Sequence, residues 1–129
     1  MRRVLLVDDD PAIREIARIS LERVGEWTVT SASSGLMAVE LAEGEPPFDA
    51  VLLDVMMPGL DGPRTLALLR ERAAVGPATP AVFFTAKLQP ADRERLHRIG
   101  AAGVIAKPFD PMGLAAELDA IVDGERDGP

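Results

Sequence analysis

Five short runs of β-prone or apolar residues alternate with five longer stretches of helical spacing along this chain. The runs at 4–7, 50–53, 81–84 and 104–106 are continuously apolar and brief, as suits parallel strands buried on both faces. The run at 27–30 is more polar and reads as a β-prone segment led by Trp27. Behind the first run, Ile13, Ile16, Ala17, Ser20, Leu21 and Val24 recur at helical spacing, with Pro11 suited to the first turn and Gly25 to the stop. Ser34 is placed to cap a second helix carrying Leu36, Val39 and Leu41. Leu66, Leu69 and Ala73 stripe a third. A mostly charged stretch at 91–99, with Leu96 and Ile99 inward, predicts a fourth, and Leu114, Leu118, Ile121 and Val122 mark a fifth.

Strand–helix alternation repeated in this way predicts an α/β fold: an open, doubly wound sheet of five parallel strands with helices on both faces and right-handed crossovers. The expected strand order is 2-1-3-4-5, as in flavodoxin-like folds. A chain of 129 residues with 47% hydrophobic content fits one domain. We place it at residues 1–122, with 123–129 a frayed tail or the start of a linker. The net charge of −7 and pI near 4.7 oppose direct binding of nucleic acid. The arginines at 93, 95 and 98 read as a solvated helix face, and His97, the only histidine, as solvent-facing with no part in phosphotransfer. No apolar run approaches the ~20 residues of a membrane span. The absence of cysteine agrees with a reducing compartment, so a cytoplasmic protein is expected.

In open α/β sheets the functional crevice lies beyond the carboxyl ends of the strands, and that is where the distinctive residues fall. Strand one runs into Asp8, Asp9 and Asp10, strand three into Asp54, strand four into Thr85 and strand five into Lys107. Asp10, next to Pro11, reads as a helix N-cap. Asp8, Asp9 and Asp54 would repel one another in a partly dry cleft, so a hard cation bound by oxygen is implied. Mg²⁺ fits, since it uses few carboxylates and keeps water and substrate oxygens as its other ligands. A carboxylate between such a cation and a lysine can attack phosphorus to give an aspartyl phosphate. The Thr85 hydroxyl is placed to hydrogen-bond a phosphoryl oxygen.

Four segments carry a resemblance: residues 4–9 (Val-Leu-Leu-Val-Asp-Asp), 52–62 (Leu-Leu-Asp-Val-Met-Met-Pro-Gly-Leu-Asp-Gly), 84–86 (Phe-Thr-Ala) and 100–109 (Gly-Ala-Ala-Gly-Val-Ile-Ala-Lys-Pro-Phe). In this order and spacing the chain resembles the receiver domain of two-component response regulators over residues 3–122, chemotaxis regulators included. The resemblance implies that Asp54 is the phosphoacceptor, Asp9 a direct metal ligand and Asp8 an acidic neighbour acting through metal-bound water. It assigns the Met56 backbone carbonyl to the metal, Thr85 to the switch hydroxyl and Lys107 to the lysine that contacts the phosphoryl group. A cis Lys107–Pro108 peptide is implied as well. The implied partners are a histidine kinase or phosphotransfer protein as donor, and a downstream protein or an output domain. Docking or homodimerisation is implied on the last helices and strand five. Slow self-catalysed hydrolysis of the aspartyl phosphate is implied, rather than turnover of an external substrate.

Val104 departs from the pattern, standing where the family commonly carries an aromatic partner to the threonine. A valine has no ring to rotate, so we expect Thr85 to act on the output surface less, or through the backbone that follows it. Met56 and Lys87, two positions beyond Asp54 and Thr85, are expected to set phosphate lifetime. Three other readings compete. FMN binding is opposed by Asp8 and Asp9, which repel its phosphate. A haloacid-dehalogenase-type phosphatase wants a carboxylate where Met56 stands. A phosphate-independent atypical receiver would keep the fold and not the chemistry.

Overall fold

The computed structural model describes residues 2–86 and 89–124. Five strands, β1 (Arg3–Val7), β2 (Thr28–Ala32), β3 (Ala50–Asp54), β4 (Ala81–Thr85) and β5 (Gly103–Ala106), alternate with five helices. These are α1 (Pro11–Arg23), α2 (Gly35–Glu43), α3 (Gly62–Glu71), α4 (Pro90–Arg98) and α5 (Leu114–Asp123). The strands form one parallel sheet in the order β2-β1-β3-β4-β5, as the alternation predicts.

Side chains along each strand point to opposite faces in turn, and this alternation builds two cores. Val4, Leu6, Leu52, Phe84 and Ile105 pack with Ala17 and Leu21 of α1 and with Leu114 and Leu118 of α5. Leu5, Val7, Leu53, Phe83 and Val104 pack on the other face with Val39 of α2, Leu66 and Leu69 of α3, and Leu96 of α4. Because both faces are covered, β3 and β4 are buried at every residue, which explains why each is apolar up to its last residue, Asp54 or Thr85.

Several boundaries and faces differ from the expectation. Trp27 precedes β2: its ring is buried, Nε1 donates to Asp119 at 2.9 Å, and the Arg2 guanidinium stacks 4.6 Å above it. Its β propensity therefore reflects packing beside the strand rather than membership of it. Ala73 lies beyond α3 in a left-handed turn at φ 56°, so it does not extend the helical stripe. Ile99, expected to face inward, is 42% exposed and follows the end of α4. Ile16 and Val24 are likewise exposed, which narrows the α1 stripe to Ala17, Ser20 and Leu21. Asp123 closes α5 and pairs with Arg2 at 2.6 Å, and Gly124 terminates the helix in a left-handed conformation. The exposed face of α4 carries the three arginines, as expected. His97 is exposed there too, its Nδ1 lying 3.0 Å from the Ala101 carbonyl oxygen.

Among the described residues no helix is long and apolar enough to cross a membrane.

Candidate functional site

The carboxyl edge of the sheet brings Asp8, Asp9, Asp54, Thr85 and Lys107 together. Asp8 follows β1 and is fully buried; its N–H donates to the Ala32 carbonyl at 3.2 Å, tying it to the end of β2. Its Oδ1 accepts the Asp10 N–H at 2.9 Å. Its Oδ2 lies 2.8 Å from Lys107 Nζ, a buried ion pair. Asp54, at the end of β3, is 7% exposed, and Lys107 Nζ reaches its Oδ1 at 3.2 Å. One ammonium thus bridges two buried carboxylates, with its Nζ 5.7 Å from the centroid of the Phe84 ring.

Asp9 is exposed at the mouth, and a carboxylate oxygen from each of Asp8, Asp9 and Asp54 lies within 4.8 Å of the others. Asp10 does not join them: its Oδ1 accepts the N–H groups of Ala12 and Ile13, so it caps α1 as its place before Pro11 implied. Thr85 is 8% exposed at the end of β4, and the Lys107 N–H donates to its carbonyl at 2.9 Å. The Lys107–Pro108 peptide is cis.

The electrostatics follow from this crowding. Burial, then the negative charge of Asp8, pushes the Asp54 carboxyl up to about 6, against the opposing pull of Lys107. Burial works to lower the Lys107 pKa, but its close contact with Asp8 and the charges of Asp8 and Asp54 outweigh burial and raise it. Among the described residues, three carboxylates face one contacting lysine, which leaves a net negative set of oxygens. That donor set fits a hard divalent cation.

Met56 is 79% exposed, and its side chain lines a cavity of about 170 Å³ shared with Val55, Thr85, Ala86, Asp92, Arg95 and Leu96. Val104 is buried opposite Phe83 on β5, in the core that faces α4. Lys87 lies outside the described residues.

Two features were not singled out from sequence. Arg14 of α1 donates Nη1 to the Asp8 carbonyl at 2.8 Å. Gly62, at the start of α3, packs against β3 so closely that a Cβ there would strike the Asp54 carbonyl oxygen and sit 3.0 Å from Val55 Cα. Both obstacles are backbone and cannot step aside. Gly62→Ala is therefore expected to cost about 1–3 kcal/mol of stability. Urea denaturation of the variant beside wild type measures this, and an unchanged midpoint would contradict the close approach.

Residues 4–119 match the response regulator receiver domain family. The chain belongs to that family. The receiver's curated relatives include a probable transcriptional regulator, ycf27, of Guillardia theta, 38% identical over 120 residues that make up 93% of this chain and 45% of that protein. The transcriptional regulatory protein ResD of Bacillus subtilis is 36% identical over 121 residues, 93% of this chain and 48% of that one. The receiver thus spans about half the length of the curated relatives it matches. Among solved structures, the chemotaxis protein CheY4 of Vibrio cholerae superposes with a TM-score of 0.85 at 30% identity, covering 94% of this chain and 98% of that one. The receiver has the CheY-like, flavodoxin-like fold and is a signalling domain rather than a classical enzyme.

Proposed function

We propose that this receiver accepts a phosphoryl group on Asp54 from a phosphohistidine of a kinase or phosphotransfer protein, and that the acyl phosphate changes its contacts with an output element. The observation that carries the proposal is Lys107 Nζ bridging Asp8 and Asp54 at the open end of the sheet. An Asp54 carboxylate oxygen forms the new bond to phosphorus, while the bond from phosphorus to the donor nitrogen breaks and its electron pair leaves with the imidazole. Asp54 has to be ionised to do this, and near neutral pH a carboxyl titrating at about 6 mostly is. Lys107 holds positive charge where the phosphoryl oxygens arrive, and Thr85 offers a hydroxyl at the adjacent strand end. Asp9, Asp54 and the Met56 carbonyl, with Asp8 acting through water, would hold Mg²⁺, which would supply charge neutralisation at the transferring group.

Incubation with Mg²⁺ and acetyl phosphate, followed by intact-protein mass spectrometry, tests the chemistry. Wild type should gain one phosphoryl group and Asp54→Asn none. No gain in wild type with several donors would favour the phosphate-independent reading.

Met56 and Lys87 are proposed to set how long the acyl phosphate survives. The exposed Met56 thioether is free to cover it, so Met56→Ala should change the rate of phosphate loss while stability stays within about 0.5 kcal/mol of wild type. Equal lifetimes in a pulse-chase measurement would count against this. Val104 is too short to follow Thr85 as a ring would, so the signal is proposed to leave through the backbone after β4.

One relative is named a transcriptional regulatory protein and the other a probable transcriptional regulator, and the expectation of no direct nucleic-acid binding is corrected accordingly. Contact with DNA is proposed to run through a separate output domain, as in a longer regulator. A cytoplasmic location, and docking or dimerisation through α4, β5 and α5, complete the proposal.

A further inference from the structure

Asp9 is exposed, between a buried Asp8 and a helix-capping Asp10, yet its backbone is pinned on both sides. The peptide plane after it is held where the Asp10 N–H donates to Asp8 Oδ1 at 2.9 Å. The plane before it is held by a different group: Arg14 Nη1 donates to the Asp8 carbonyl at 2.8 Å. Arg14 is itself fixed in the first turn of α1, its N–H donating to the Asp10 carbonyl at 2.9 Å. The helix that begins at Asp10 therefore reaches back through one guanidinium to set the loop from which it starts.

The geometry points to Arg14 as the positioning residue for Asp9. Rotation of the Asp8–Asp9 peptide would swing the Asp9 Cβ relative to Asp8 and Asp54, and the Arg14 hydrogen bond opposes that rotation. A clamp on a ligand's backbone keeps the carboxylates preorganised, and loss of such an outer contact characteristically weakens metal binding by 10-fold or more. The inference rests on the reading of Asp8, Asp9 and Asp54 as a Mg²⁺ site. It also runs against simple charge: Arg14 is a cation beside an acidic pocket, so as a mere charge it would repel Mg²⁺, and removing it would tighten binding.

Calorimetric titration of the metal-free protein with Mg²⁺ separates these roles, using Arg14→Met to remove charge and hydrogen bond and Arg14→Lys to keep the charge and a donor. Arg14→Met should bind Mg²⁺ roughly 10-fold more weakly than wild type, and Arg14→Lys should recover most of the loss. Without metal, the Asp10 amide should exchange with solvent several-fold faster in Arg14→Met, because the loop opens locally. Unchanged or tighter Mg²⁺ binding in Arg14→Met would overturn the proposal, as would a lower melting temperature with wild-type affinity. If wild type itself failed to bind Mg²⁺, the metal reading would fall, and Asp10 exchange would still decide whether Arg14 clamps the loop.

Discussion

Lys107→Ala is expected to destabilise the metal-free protein by about 3 kcal/mol near pH 8 and to slow phosphoryl uptake at least 10-fold. Lys107 Nζ is the ammonium in contact with Asp8, which is fully buried, and with Asp54, which is nearly so. Removing it leaves two carboxylates a few ångströms apart with no cation between them among the described residues, and breaking a buried pair costs more than the pair contributes on forming. The sign with pH follows from linkage. A lysine whose folded pKa lies above its unfolded value of 10.5 contributes stability that is complete below 10.5 and lost as pH rises through the folded value. Across pH 7 to 9 the lysine's contribution is thus fully present in wild type and wholly missing from the variant. Below about pH 5 the deficit should shrink, because Asp54 takes up a proton and the repulsion it shares with Asp8 is relieved. Urea denaturation in EDTA at pH 5 and pH 8 checks both statements. Equal stability of variant and wild type at pH 8 would show that the bridge carries no energetic weight.

The fold and most of the site were legible because a parallel sheet obeys a simple rule. Every strand ends on the same edge, so Asp54, Thr85 and Lys107 were placed together by their positions after apolar runs, without any knowledge of contacts. Asp10 was separable from Asp8 and Asp9 because a carboxylate immediately before a proline-led helix has a local use. What escaped is long-range or backbone in nature. Arg14 looks like any polar residue on the outer face of α1, and its contact is with a carbonyl, which no side-chain pattern encodes. Gly62 reads as part of a turn-rich loop, whereas its use is to let α3 approach the Asp54 backbone. Asp123 seemed to belong to a polar tail because its partner, Arg2, is at the other end of the chain. Ile99 followed the helical stripe by one residue too many, since the stripe cannot show where α4 stops.

Asp54→Asn should abolish phosphoryl uptake and yet make the metal-free protein more stable near pH 7.5, by about 1–2 kcal/mol. Burial and the charge of Asp8 raise the Asp54 carboxyl from 3.8 to about 6, so the folded state holds its proton more tightly than the unfolded chain does. Between those values the native state binds more protons, and stability therefore falls as pH rises from about 4 to 6 and stays reduced above. At roughly 1.4 kcal/mol per unit the shift has an upper bound near 3 kcal/mol, and solvent at the open end of the site reduces that figure. Asparagine has nearly the same shape, keeps an oxygen for Lys107, and carries no charge to bury. For a domain of this size the gain corresponds to a melting temperature higher by about 3–8 °C. Two controls make the cause specific. At pH 4 the difference should almost vanish, since Asp54 is then largely protonated in wild type. Saturating Mg²⁺ at pH 7.5 should raise wild type toward the variant, because a cation bound among Asp8, Asp9 and Asp54 offsets the repulsion that asparagine removes. A variant less stable than wild type in EDTA at pH 7.5 would mean that the ionised Asp54 is stabilised by its neighbours. The receiver would then hold its nucleophile at no cost to the fold, contrary to the crowding seen around it.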